Sequence, residues 1–393
     1  MSELVEDYIR LGLDLGRHID GFVDAYYGPP ALSEAAAAGP PKPPAQLADR
    51  ARRLLSDLEA DRDLDPNRRL WLAAQVRGLW TSARKLAGDN IGYLDEIEAG
   101  YGIRPPEVDT DRFAAAHRRL DEVLPKEAGV SLAERYNNWR EAQVVAPDRL
   151  DQAIHSVAED FRERTRRMFG LPDGEHVEFI LESNKPWSGF NYYLGGLRSR
   201  VALNIDLPVL ATSFGHVIAH EAYPGHHTEH CRKEVGLVQR RQWMEEAIFL
   251  VGTPQCVIAE GLADLALEVI AGDRPEPVIE SHLKPLGIPY DAATMAQVEQ
   301  AAADLEWVRG NVAIGIHDRG WSADDALAYL ERWALLPKAR AEKQIQFLLD
   351  PTWRAYIFCY AEGVRLCREY VHGDPARFER LISEQFVPAQ LVP

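Results

Sequence analysis

The chain has few cysteines, no long apolar run and no basic excess. The four cysteines, Cys231, Cys256, Cys359 and Cys367, show no Cys-x-x-Cys spacing, so neither a disulfide framework nor a thiolate zinc site is expected. No uninterrupted apolar stretch has the length needed to span a bilayer, so we expect no membrane association. The acidic N-terminus has no apolar core of signal-peptide length, which predicts a cytoplasmic protein.

The charge balance is strongly acidic. The formal net charge is −17 over 393 residues, from 61 Asp and Glu against 44 Lys and Arg. Binding to a phosphate backbone requires clustered basic side chains. Nucleic acid is therefore not an expected partner.

Apolar residues recur mostly at helical spacing, which predicts a mainly α protein. This spacing predicts helices over 4–25 and 242–251, among others. Alternation over His176–Glu182 and Arg200–Ile205 predicts two strands, and hence a small β-sheet just before a histidine-rich helix. We expect an N-terminal helical region over 1–171 and a catalytic, metal-binding region over 172–393, or one continuous lobed domain.

Five of the twelve histidines lie between Phe214 and His230, around the dipeptide His220-Glu221. Imidazole and carboxylate are the usual ligands of catalytic zinc, and a Glu directly after a ligand His is placed to take a proton from bound water. The familiar His-Glu-x-x-His spacing is absent, because Pro224 stands four residues after His220.

The second histidine ligand must therefore come from another position. If the Pro224-Gly225 step widens one helical turn, His226 can approach His220, and we expect His226 as the second ligand, with His227 as runner-up. An alternative partner is His216, which precedes His220 by one regular helical turn. A metal ligand at His216 competes with the interpretation that this side chain packs on the buried helix face.

The third ligand is expected on a helix downstream, because catalytic zinc normally takes three protein ligands and keeps one position open. Glu260 and Asp264 share a face of the predicted helix around Ala259–Glu268. We expect Glu260 to bind the metal and Asp264 to accept a hydrogen bond from a ligand histidine. Zinc suits such a mixed ligand set best, although manganese, cobalt or iron also fit it.

The segment His220–His227 resembles the HExxPGHH signature of the bacterial "domain of unknown function 885" family. The segments Glu260–Asp264, Gly315–Ser322 and Tyr360–Gly363 also resemble motifs of that family, and the resemblance covers roughly Asn191 to the C-terminus. The chain differs at Leu262, where the family usually has Trp. The resemblance implies a metallopeptidase-like protein with the architecture of helical zincins of the gluzincin type, whose third ligand is a Glu.

The resemblance also implies two substrate-facing groups, His317 and Tyr360, which can donate a hydrogen bond to the oxyanion of a tetrahedral intermediate. The guanidinium of Arg354 suits pairing with a substrate carboxylate, and the alternative for this residue is a surface salt bridge. Earlier in the chain, an edge strand can bind an extended peptide. We therefore expect Asn191, Tyr192 and Tyr193 to line a substrate cleft.

These patterns predict a zinc peptidase that cleaves short peptides with water, with Glu221 as the proton carrier. Two alternatives stay open. The first is a metal-dependent amidase or esterase for a non-peptide substrate, which would use the same water activation. The second is a non-catalytic scaffold stabilised by metal, which would leave Glu221 without a role. The sequence does not indicate which oligomeric state the protein has.

Overall fold

The computed structural model describes residues 1–185 and 187–392. Helical segments contain 63% of the residues and strands only 8%, so the predicted mainly α fold is confirmed. The helices are α1 (Glu3–Leu15), α2 (Pro30–Ala37), α3 (Pro44–Ala60), α4 (Pro66–Leu86), α5 (Tyr93–Tyr101), α6 (Thr110–Val123), α7 (Leu132–Glu141), α8 (Pro147–Phe169), α9 (Ala211–Glu221), α10 (His226–Lys233), α11 (Gln255–Ala271), α12 (Glu276–Leu283), α13 (Ala292–Ala302), α14 (Val308–Arg319), α15 (Ala323–Trp333), α16 (Lys338–Leu349), α17 (Ile357–Val371) and α18 (Pro375–Leu381).

The strands are β1 (Val23–Tyr26), β2 (His176–Glu182), β3 (Gly189–Gly195), β4 (Arg198–Asn204) and β5 (Ile248–Leu250). Strands β2, β4 and β3 form a sheet in that order, with β2 parallel and β3 antiparallel to β4. Both predicted strands of this sheet are confirmed, and β3 lies at its edge. Helix α9 follows β4 directly, so the small sheet adjoins the histidine-rich helix as expected.

A second sheet joins two distant parts of the chain. Strand β1 pairs antiparallel with β5, so that Val23 lies opposite Leu250 and Tyr26 opposite Ile248. The helices predicted over 4–25 and 242–251 are therefore wrong where the chain forms β1 and β5. Both segments have apolar residues that fit a short helix, and the pairing that decides between helix and strand spans more than 200 residues.

The apolar side chains form two large clusters. One contains Tyr8 and Trp71 from the N-terminal helices together with Leu250 of β5. The larger cluster includes Phe161 of α8 and Phe214 of α9, and it extends into the C-terminal helices. The division expected near residue 171 stays a prediction.

Two further findings concern cysteines and membrane helices. All four cysteines are buried and unbonded. Within residues 1–185 and 187–392, no helix combines the length and the apolar character required to cross a membrane.

Candidate metal centre

The histidine-rich segment is divided between two helices. Helix α9 ends at Glu221, and α10 begins at His226 after a four-residue connection. The expected widened turn is therefore replaced by a complete break. Gly225 is required in the connection, because a Cβ there would overlap the carbonyl oxygen of His220 and lie 2.6 Å from that of Ala219. The close approach of this backbone places His226 beside His220.

The structure brings the three expected metal ligands together. Nε2 of His220 lies 3.3 Å from Oε2 of Glu260, and Nε2 of His226 lies 3.5 Å from Oε1 of Glu260. One ligand atom from each residue lies within 4.8 Å of the other two. The imidazole rings of His220 and His226 are nearly perpendicular, with centroids 4.6 Å apart.

Glu260 is positioned by close packing of two helices. A Cβ at Gly261 of α11 or Gly363 of α17 would overlap the backbone of the opposite helix, so glycine allows the two helices to touch. This packing places Tyr356, just before α17, against Glu260, where its hydroxyl donates to Oε1 at 2.5 Å. The second oxygen, Oε2, is buried and makes no hydrogen bond within the described residues.

The charges at the centre favour an ionised carboxylate. Burial alone would raise the pKa of Glu260, but the imidazoles of His226 and His220 outweigh it and hold that pKa at about 2. Burial alone would lower the pKa of His220, but Asp264 and Glu260 raise that pKa above its usual value. A buried anionic oxygen without a hydrogen bond, next to two imidazoles, fits a cation-binding position.

Asp264 lies one helical turn after Glu260. Its Oδ1 accepts from Nδ1 of His220 at 2.8 Å, which leaves Nε2 of His220 directed toward Glu260. The same oxygen lies 3.3 Å from Nε2 of His216. His216, His220 and Asp264 therefore form a second group with the spacing of metal ligands. The two groups share His220 but use different ring nitrogens.

Glu221 is the last residue of α9 and lies at the edge of the ligand cluster. Its carboxylate is buried, and burial raises its pKa, although His220 and His226 partly offset this effect. A Cβ on Gly189 of β3 would lie 2.9 Å from Oε1, so glycine leaves room for this side chain. The Nδ2 of Asn191 donates to the backbone carbonyl of Glu221 at 2.6 Å and holds the end of the helix.

Tyr360 on α17 lies beside His220. Its ring is roughly parallel to the imidazole, with centroids 6.4 Å apart, and the guanidinium of Arg309 lies over its ring at 5.8 Å. Burial raises the pKa of Tyr360 well above its usual value, so its hydroxyl stays protonated and can donate a hydrogen bond.

His227 is directed away from these residues. Its Nε2 lies 3.1 Å from Oε2 of Glu175 and its Nδ1 lies 2.8 Å from the hydroxyl of Ser199, in a fully buried position. The structure therefore places His226 in the ligand cluster and His227 in a separate polar network with Glu175.

His317 and Arg354 form a different polar group. Nε2 of His317 donates to the carbonyl of Leu348 at 2.7 Å, while Arg354 forms an ion pair with Glu96. The ring of His317 also packs on Tyr93 at 4.8 Å. Both side chains are engaged in this group, so neither belongs to the ligand cluster.

The three residues expected to line a cleft have different surroundings. Asn191 faces the ligand cluster. Tyr192 is partly exposed, 3.4 Å from Oε2 of Glu182, and Tyr193 is buried with its hydroxyl donating to Glu234 at 2.6 Å. His230 is buried and stacks on Tyr193 at 4.6 Å.

Two cavities meet at His220, Glu221 and Tyr360. The wide cavity, of about 610 Å³, extends past His216, Asp264 and Arg309. The narrow cavity, of about 60 Å³, is lined by His226 and Glu260. Aromatic side chains also line the narrow cavity, namely Trp187, Phe190, Phe249, Phe347, Trp353 and Tyr356.

Asp24 is the acidic residue of the narrow cavity that the sequence patterns miss. It lies on β1, and burial raises its pKa to about 7. The helical pattern over 4–25 gives no indication of this position, because the pairing of β1 with β5 carries Asp24 to the site.

Comparisons with known proteins give a fold but no function. No protein-family model matches the chain, and no curated protein matches it either. It is similar to a solved structure described as a "putative lipoprotein" from Colwellia psychrerythraea, at 14% identity and a TM-score of 0.52. A "putative lipoprotein of unknown function" from Shewanella oneidensis is 15% identical, with a TM-score of 0.48, over 92% of this chain and 74% of that one. The first similarity covers 89% of this chain and 66% of the Colwellia chain, less than two thirds of it, and shows a shared fold.

Proposed function

We propose that the protein is a zinc-dependent hydrolase that cleaves short peptides and belongs to the domain of unknown function 885 family. The observation that carries the proposal is the placement of Glu221 beside the cluster of His220, His226 and Glu260, at the junction of two cavities. A purely structural metal site needs no additional carboxylate facing open space.

The cluster fits a catalytic zinc ion on three grounds. Two imidazoles and one carboxylate are a common ligand set for catalytic zinc, with a further position left for water. Oε2 of Glu260 supplies an anionic oxygen that makes no hydrogen bond among the described residues and lies 3.3 Å from Nε2 of His220. Asp264 fixes the orientation of His220, as carboxylates commonly do for metal-bound histidines.

His220, His226 and Glu260 would hold the ion, which when bound lowers the pKa of water and polarises a carbonyl. Glu221 accepts the proton of the attacking water on its carboxylate and delivers it to the departing nitrogen. Tyr360 donates its hydroxyl hydrogen to the carbonyl oxygen, where negative charge develops. Asn191 keeps Glu221 in place through the backbone of that residue.

The surrounding surface suits an extended peptide. Strand β3 lies at the edge of its sheet, and its residues Gly189, Phe190 and Asn191 line the narrow cavity. An edge strand offers main-chain groups that pair with a bound peptide. The enclosed site favours short or unfolded substrates over folded proteins.

The test compares Glu221→Gln with the wild-type chain. We expect one zinc per chain in both by elemental analysis, and a roughly 10²- to 10⁴-fold lower kcat on short peptides in the variant, because only the proton carrier is lost. The control is Glu178→Gln, an exposed glutamate on β2 that should keep full activity. Wild-type turnover in Glu221→Gln, or a zinc-loaded wild type that hydrolyses no peptide, would refute the proposal.

A further inference from the structure

The two cavities differ in the acidic and basic residues that line them. Within the described residues, the lining of the narrow cavity has the acids Asp24, Glu221 and Glu260 and the histidines His220, His226 and His230, but no Lys or Arg. The wide cavity also has acidic residues, but basic ones outnumber them: Arg140, Arg309, Arg340, Lys343 and Arg368 against Glu221, Asp264 and Glu306. Because the net charge of the chain is −17, this excess of basic residues is a local feature of the wide cavity.

Several basic groups of the wide cavity are available to a ligand. Lys343 and Arg368 are paired with Asp206 and Glu268. Across residues 1–185 and 187–392, by contrast, no carboxylate lies within ion-pair distance of Arg309 or Arg340. Arg309 lies over the ring of Tyr360, and Arg340 donates to the carbonyl of Pro208 at 3.2 Å. A carboxylate in this cavity would therefore meet unneutralised guanidinium groups.

In the narrow cavity, Asp24 is an acidic residue that is available to a ligand. Its carboxylate makes no hydrogen bond or ion pair with any residue that the structure describes. It is partly buried, and its electrostatic neighbours are His226, Glu260 and Glu221. With Glu260 and His226 in contact with each other, Asp24 is the carboxylate of this cavity that can receive a cation from a ligand.

The volumes limit what each cavity can hold. A single water molecule needs roughly 10–15 Å³ of such space. The narrow cavity, at about 60 Å³, therefore has room for about four to six waters, or one small end group. The wide cavity, at about 610 Å³, has room for several amino-acid residues.

We propose that the substrate's free amino end lies in the narrow cavity, with its ammonium on Asp24, while its carboxylates lie in the wide cavity near Arg309 and Arg340. This inference rests on the proposed hydrolase function and makes the protein an aminopeptidase for short, acidic peptides. Water is added across the first peptide bond: its oxygen bonds to the carbonyl carbon, the carbon–nitrogen bond breaks, and the proton reaches the leaving nitrogen through Glu221.

The opposite orientation is disfavoured by charge. A carboxyl end in the narrow cavity would lie beside Asp24, and an ammonium in the wide cavity would face Arg309 and Arg340. Like charges brought together in a partly buried site raise the free energy of binding.

The first experiment follows hydrolysis by the zinc-loaded full chain. The substrates are Ala-Ala-Glu-Ala, its N-acetylated form and its C-terminal amide, with products identified by mass spectrometry. We expect free alanine as the first product, with N-acetylation lowering kcat/KM about 10- to 100-fold, as expected for loss of a charged hydrogen bond. In Asp24→Asn this preference should shrink toward unity, whereas Asp20→Asn, an exposed acid nearby on the chain, should keep it.

The second experiment measures binding without hydrolysis. Alaninol has a free amine and no scissile bond, and calorimetry compares it with N-acetylalaninol on the metal-free and zinc-loaded chains. We expect alaninol to bind more tightly, and Asp24→Asn to weaken its binding about 10- to 100-fold without a change in the circular dichroism spectrum. Arg340→Gln provides a second variant, which should reduce the advantage of the free peptide over its C-terminal amide.

The outcomes separate the two proposals. Hydrolysis of the N-acetylated peptide at the same rate, or release of internal fragments first, would overturn the aminopeptidase inference and leave the hydrolase standing. Preferred binding of alaninol without hydrolysis of any peptide would overturn the proposed function while supporting the amine site. Equal binding of alaninol and N-acetylalaninol would overturn the role of Asp24.

Discussion

His220 belongs to two groups that could hold a metal ion, and substitution of one partner from each group decides between them. In the first group its Nε2 faces Glu260, next to His226, and in the second its Nδ1 faces Asp264, next to His216. We predict that His226→Gln removes a zinc ligand, whereas His216→Gln removes only a neighbour of Asp264.

The expected difference in zinc affinity is large. Zinc sites bind with roughly 10–16 kcal/mol in total, so one of three or four ligands contributes roughly 3–5 kcal/mol, or about 10²- to 10⁴-fold in Kd. His226→Gln should lose that much. His216 has 46% of its side chain exposed, so His216→Gln should change the Kd less than about tenfold. Asp264→Asn should fall between them, at about 10- to 100-fold, because it disturbs only the orientation of His220.

The assay is competition for zinc between each variant and a chromophoric chelator at pH 7.5. Thermal unfolding of the metal-free chains checks that the substitutions leave the fold intact. If His216→Gln weakens zinc binding as much as His226→Gln, or more, the ion lies at Asp264 and the proposed role of Glu260 is wrong.

Three further predictions concern stability. Gly225→Ala should lower the free energy of unfolding by at least about 2 kcal/mol and weaken zinc binding, because the added Cβ would overlap the carbonyl of His220. Gly236→Ala is the control and should be tolerated, because nothing lies within 4 Å of the added Cβ. Equal urea midpoints for the two variants would contradict this prediction. Glu175→Gln should cost roughly 3 kcal/mol at pH 7. Although burial raises the pKa of Glu175, hydrogen bonds from His227, Tyr223 and Arg162 hold that pKa at about 2 instead of 4.5. The stabilisation from Glu175 is therefore present above pH 4.5 and should fade toward pH 2. A difference in stability from wild type that does not change with pH in urea titrations would contradict this prediction. Tyr356→Phe should lower the free energy of unfolding by about 1 kcal/mol, measured by urea titration, because one hydrogen bond to Glu260 is lost. The zinc Kd, measured by chelator competition, should change less than tenfold, because Glu260 stays beside His220 and His226.

The ligand cluster is the part of the site that the sequence predicts best. His220-Glu221 is a local motif, and Glu260 and Asp264 share a helix face through the regular spacing of one turn. Such relationships depend only on helix geometry within one segment. The structure places all of these residues together with His226, as the spacing and the family resemblance suggest.

The choice between His226 and His227 depends on a distant residue. Both follow the Pro-Gly step, and neither helix geometry nor composition separates them. In the structure, Glu175 and Ser199 hold the ring of His227 within a buried network. The sequence gives no sign of that network, because its members come from different elements. The break between α9 and α10, expected as a widened turn, depends similarly on how the Gly225 backbone packs against His220.

Asp24 shows where local patterns give no indication at all. Its segment has apolar residues at helical spacing, yet β1 becomes a strand because β5, more than 200 residues away, supplies its hydrogen-bonding partner. The same pairing explains why the helix predicted over 242–251 is wrong. A residue brought to a site by long-range strand pairing has no neighbouring motif, and only the folded structure identifies it.

The catalytic interpretation depends on position more than on ligand type. Two histidines and a glutamate would bind zinc equally well in a closed structural site. The cluster here lies at the junction of a narrow acidic cavity and a wide, more basic one, with Glu221 on the shared boundary. A substrate with opposite charges at its two ends would place the bond between them beside Glu221. The charges of Asp24, Arg309 and Arg340, none of which is a proposed metal ligand, are therefore a separate argument for chemistry at this site.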